Sequence, residues 1–108
     1  MNYKIDIKPI SVNEIFKGKK YKTAKYDLFI SDMLKLLPKT IEFPDKENVK
    51  LAIEFGFSTK ASDLDNYLKG TIDCFVKKYG VDDKHIYEIH CFKAIVKKGQ
   101  EYIKFKIY

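Results

Sequence analysis

Apolar and polar positions alternate along several stretches of the chain and recur at helical spacing along two others. Tyr3, Ile5 and Ile7 alternate with Lys4, Asp6 and Lys8. That is the period of a half-buried strand, stopping near Pro9. Residues 11–24 read as a polar connection containing Gly18. From Lys25 to Leu37 the apolar set Tyr26, Phe29, Ile30, Met33, Leu34 and Leu37 follows a helical period, and Pro38 stops it. After a turn at Pro44, Asp45 and Asn48, the residues Val49, Leu51, Ile53, Phe55 and Phe57 alternate without a break, giving the clearest strand. Leu64, Leu68, Ile72, Phe75, Val76 and Tyr79 mark a second amphipathic helix, with Gly80 as its stop. Ile86 to Val96 reads as a long strand, Lys98-Gly99 as a hairpin turn, and Ile103, Phe105 and Ile107 as a last strand.

The predicted order is β-α-β-α-β-β over a single domain, residues 1–108. This is an α+β fold with helices packed on one face of a mixed sheet, the terminal hairpin supplying the antiparallel part. A length of 108 residues suits one domain, and 45% hydrophobic with 15% aromatic residues is enough for a real core. No apolar run reaches the length of a membrane span and no secretory signal opens the chain, so the expected location is the cytoplasm. Cys74 and Cys91 read as reduced packing residues. His85, His90 and Cys91 lie close in sequence, but His90 and Cys91 are strand neighbours pointing to opposite faces, which does not suit zinc.

Charge changes the picture. The net charge is +6, and all 21 basic residues are lysines. Lysine is a hydrated point charge without the planar fork of arginine, so a nucleic-acid partner would be held by its phosphates, with weak base readout. Against this basic background, Asp63 and Asp65 stand one residue apart where the strand ends and the second helix begins, and Asp82-Asp83 follow that helix. Each acid alone has a bland explanation: Asp63 as a helix cap, Asp65 as a partner of the helix dipole. With Asn66 beside them they overfill that role, and adjacent carboxylates repel unless a cation is present. Mg²⁺, which takes one or two carboxylates plus phosphate oxygens and water, explains the pair, and Mn²⁺ is the alternative.

Asp63-Leu64-Asp65-Asn66 followed by Lys69, then Asp82-Asp83, resembles the RusA-type Holliday junction resolvases. The opening Lys8-Pro9-Ile10-Ser11-Val12-Asn13-Glu14 is similar to their Pro-x-Ser-x-Asn segment, and Phe16 to Thr23 and Phe55 to Lys60 are similar to phage-type members. Where better-known members carry an arginine-rich run, this chain has Thr59-Lys60-Ala61-Ser62. The resemblance implies a dimeric, Mg²⁺-dependent endodeoxyribonuclease that resolves branched DNA by paired nicks in recombination and repair. It assigns Asp63, Asp65 and Asp83 to the metal and Lys69 to catalysis, stabilising charge on the phosphate. Asp82 then reads as a turn residue.

Lys17, Lys19, Lys20, Tyr21 and Lys22 form a basic arm with interleaved aromatics suited to DNA phosphates and an unpaired base, joined by Asn13 and Lys60. The rival readings are a DNA-binding accessory protein that never cleaves, and a metal-dependent nuclease on unbranched DNA.

One helix over residues 64–79 would separate Asp63 from Asp83 by about 24 Å at ~1.5 Å per residue. A break at Gly70, a loop doubling back after Gly80, or a two-fold dimer with antiparallel second helices would reunite them. The expected arrangement is the dimer, each site borrowing Asp83 from the other subunit.

Overall fold

Val49, Leu51, Ile53, Phe55 and Phe57 all point to one side of strand β4 (Val49–Phe57), each at most 3% exposed. The computed structural model describes residues 2–17 and 21–108. β4 is the axis of a four-stranded sheet of order β1-β6-β4-β5, with β1 at Asn2–Ile5, β5 at Ile86–Ile95 and β6 at Tyr102–Ile107. β5 runs parallel to β4, while β6 pairs antiparallel with both β4 and β1.

Two long helices fill the core against β4. Helix α2 (Ala24–Leu36) buries Tyr26, Phe29, Ile30 and Met33, and helix α3 (Leu68–Tyr79) buries Gly70, Thr71, Cys74 and Phe75. They pack on each other and share one cluster with β4 and with Ile103 and Phe105 of β6. Thr23 caps α2 by accepting from the backbone N–H of Tyr26. Gly80 ends α3 in the left-handed conformation, φ 67°, where a side chain would be strained.

Three expectations need correction. The last two strands do not form a hairpin: Gly99 does turn the chain, φ 89°, but β5 and β6 lie on opposite sides of β4. β4 is the most apolar strand, and a central place gives its backbone partners on both edges. The polar connection holds structure of its own, a short helix α1 (Val12–Ile15) and a small antiparallel ribbon of β2 (Phe16–Lys17) and β3 (Tyr21–Lys22). The second helix begins as a 3₁₀ turn, Leu64–Tyr67, before α3 proper. Gly70 does not break it. A Cβ there would come within 2.6 Å of the Ile10 side chain, so glycine is what lets the N-terminal segment lie against α3.

β5 is left uncovered. It is an edge strand of ten residues, and Tyr87, Phe92, Ile95 and Ile89 are 67%, 53%, 46% and 37% exposed. Long, exposed, apolar edges are sites of association.

Both cysteines are free, Cys74 buried and Cys91 partly so. Burial, then the neighbouring Asp73 charge, pushes the Cys74 thiol up to about 12. At pH 8 it is therefore neutral and unreactive. A thiol reagent is expected to modify Cys91 alone in the native protein and both cysteines in denaturant, which mass spectrometry of the modified peptides reads directly.

Candidate functional site

β4 delivers the chain into a loop, Ser58–Ser62, that ends at the acidic motif. β5 holds this loop from the side: the Lys93 ammonium donates to the carbonyls of Lys60 at 3.2 Å and Ser62 at 3.0 Å. Ser62 is buried, and Asp63 immediately after it is exposed. Asp63 stands at the head of the 3₁₀ turn with extended backbone, φ −90° and ψ 124°, yet its side chain makes no capping hydrogen bond. Its backbone carbonyl closes the turn by accepting from Asn66. Asp65 is likewise exposed. Among the described residues neither carboxylate has a hydrogen bond or ion pair from another side chain, so the capping role that would explain Asp63 without a ligand is not taken up. Two hard carboxylates with free oxygens at one loop end suit a hydrated divalent cation.

Lys69 lies one turn into the helix. It pairs with Asp73, Nζ to Oδ1 at 3.2 Å, rather than with Asp65 on its other side. The second oxygen of Asp73 accepts from the hydroxyl of Tyr26 on α2 at 2.9 Å.

Asp82 is a turn residue, as the sequence suggests. Asp82 accepts from the Lys84 backbone N–H and heads a second 3₁₀ turn, Asp83–His85. That hydrogen bond, with the nearby Lys84 charge, holds the Asp82 carboxyl below its ordinary range. Asp83 is exposed and carries no such cap.

Asp83 is not beside Asp63 and Asp65. It precedes Ile86, which pairs with Val49 at the start of β4, whereas the Asp63 loop follows the end of β4 and sits beside Lys93. The stretch of β5 from Ile86 to Lys93 alone runs about 23 Å at ~3.3 Å per residue. Among the described residues no group of three His, Cys, Asp or Glu side chains gathers to hold a metal within one chain.

The N-terminal segment is brought to the motif. α1 contacts both the 3₁₀ turn and α3, and places Asn13 exposed on its surface. Ser11 and Glu14 close a capping box on α1, and Lys25 of α2 bridges to Glu14. A shallow depression of about 140 Å³ between Lys8, Pro9, Ser58, Thr59 and Tyr67 marks where segment and loop meet. Lys60 is exposed on the same loop, and Lys22 is exposed at the base of the ribbon, its Nζ 4.8 Å from the Tyr26 ring centroid. Lys19 and Lys20 lie outside the described residues, as do the side chains of Lys17 and Tyr21.

Two supporting residues escaped the sequence reading. Lys93 clamps a loop 31 residues away, and Tyr26 reaches Asp73 across 47 residues. Neither pairing leaves a local signal. No helix of the described residues is long and apolar enough to cross a membrane.

Comparison with known proteins adds one finding. The family model for endodeoxyribonuclease RusA matches residues 8–106, from the N-terminal segment through nearly all of β6. No curated protein matches the chain.

Proposed function

Because the chain belongs to the RusA endodeoxyribonuclease family, which implies an endonuclease acting on Holliday junctions, we propose that it is a Mg²⁺-dependent resolvase whose two sites are each completed across a homodimer. The observation that carries the shared site is the position of the acids: Asp63 and Asp65 at one end of an uncovered edge strand, Asp83 at the other. A two-fold axis through the middle of β5 reverses the partner strand. It brings the Ile86 end of one subunit to the Ile95 end of the other, and so Asp83 of the partner subunit toward Asp63 and Asp65. This differs from pairing through the second helices, which bury Cys74 and Phe75 in the subunit's own core.

In this reading Asp63, Asp65 and the partner's Asp83 hold Mg²⁺, with Mn²⁺ as a substitute. A divalent ion so held supplies a more acidic water and a Lewis acid for the phosphate. Lys69, one turn away, meets the charge that builds on the phosphoryl oxygens. Lys22, Lys60 and Asn13, with the basic arm of Lys17, Lys19, Lys20 and Tyr21, hold the strands leading to the site by their phosphates. Binding through lysine alone makes affinity fall steeply with salt and leaves base preference weak. A two-fold dimer matches the symmetry of a four-way junction, and matched nicks in two strands follow from two equivalent sites.

The test is a synthetic four-way junction incubated with and without Mg²⁺. Paired nicks that appear only with Mg²⁺, and not on linear duplex, are expected. Tight junction binding without a product would make the protein a recombination accessory, and equal cleavage of linear duplex would make it a general nuclease.

A further inference from the structure

Lys69 has an acid on either side along the chain, Asp65 in the 3₁₀ turn and Asp73 on α3 itself. Asp65 lies four residues before it and Asp73 four residues after. The ammonium pairs with Asp73. Asp73 is itself held from the neighbouring helix. Tyr26 is 1% exposed, and its hydroxyl donates to the Asp73 Oδ2 at 2.9 Å, leaving Oδ1 aimed at Lys69. Burial, then the Asp73 carboxylate itself, pushes the Tyr26 phenol above its ordinary range, so it remains a donor wherever the protein is folded. A surface pair at this spacing normally exchanges partners freely and contributes little. Here one member is fixed from a second element.

We propose that Tyr26 and Asp73 are positioning residues that draw the Lys69 ammonium away from Asp65, keeping the carboxylates open for the metal and the ammonium on the side facing DNA. The inference rests on the proposed metal role of Asp63 and Asp65. Without Asp73, the remaining acid four residues from Lys69 is Asp65 in the adjoining 3₁₀ turn, and an ammonium seated there occupies oxygens that the cation requires. The same side of the molecule carries Lys22 and Lys77, whose Nζ atoms lie 4.8 Å and 5.7 Å from the Tyr26 ring centroid. The bracket thus leaves Lys69 in line with a basic surface.

Mn²⁺ binding to the purified protein, followed by electron paramagnetic resonance, tests this without relying on turnover. Asp73→Asn keeps an acceptor for the Tyr26 hydroxyl and removes the charge. It is expected to weaken Mn²⁺ binding about two- to fivefold, the size of one competing surface ion pair. Removing the competitor in the same background, with Lys69→Met, is expected to restore the affinity to that of Lys69→Met alone. Tyr26→Phe should move affinity in the same direction by less. A merely structural role for Asp73 predicts a lower melting temperature and no rescue, so a persistent defect in the double variant overturns the proposal. Unchanged Mn²⁺ affinity in both Asp73→Asn and Tyr26→Phe does so as well. A separate failure, Mn²⁺ binding that is indifferent to Asp63→Asn, would instead remove the metal assignment beneath it.

Discussion

Asp63→Asn and Asp65→Asn each slow nicking of a four-way junction by roughly 10³-fold or more, about 4 kcal/mol of lost transition-state stabilisation, while the fold is untouched. The second half of that expectation gives the first its meaning. Both carboxylates are exposed, and Asp63 makes no capping bond. Asparagine has the same shape and caps helices as well as aspartate does. A structural acid would therefore tolerate the change, and relief of repulsion between the two would if anything stabilise the variant. Single-turnover nicking rates beside thermal melts separate the cases. Variants that nick at the native rate would return both residues to ordinary surface acids.

Charging β5 is the second large effect. The double variant Ile89→Asp with Phe92→Asp places an acid on each face of the edge strand. Ile89 and Phe92 are 37% and 53% exposed, so the subunit itself has little to lose. Buried in an interface, two such side chains contribute about 3 kcal/mol, roughly a hundredfold in dimer affinity. Sedimentation is expected to show monomers with a native circular dichroism spectrum, and nicking is expected to fall with the dimer population. A monomer that still cleaves junctions at the native rate would mean that each site is complete within one chain.

The elements with a clean period were legible in the sequence. β4 follows from Val49, Leu51, Ile53, Phe55 and Phe57, and α2 and α3 from apolar stripes stopped by Pro38 and Gly80. The acidic motif was legible because its charges conflict with the basic background. Strand order was not. Lys98-Gly99 signals a turn, and a turn between two strands reads locally as a hairpin, but which strand lies between them depends on burial across the whole sheet. α1 has four residues, too few to display a period. The Tyr26–Asp73 and Lys93–Ser62 contacts join residues that only tertiary packing makes neighbours. The uncovered state of β5 was likewise invisible, since Ile89, Phe92 and Ile95 look like any core strand until the helices are seen to cover β4 and β6 instead.

The most direct measurement mixes two inactive subunits, one carrying Asp63→Asn and the other Asp83→Asn, and assays the mixture on a four-way junction. With sites completed across the two-fold axis, each mixed dimer holds one doubly damaged site and one intact site, so single nicks return although neither parent cleaves. A mixture as inert as its parents, with subunit exchange verified, would contradict the shared site.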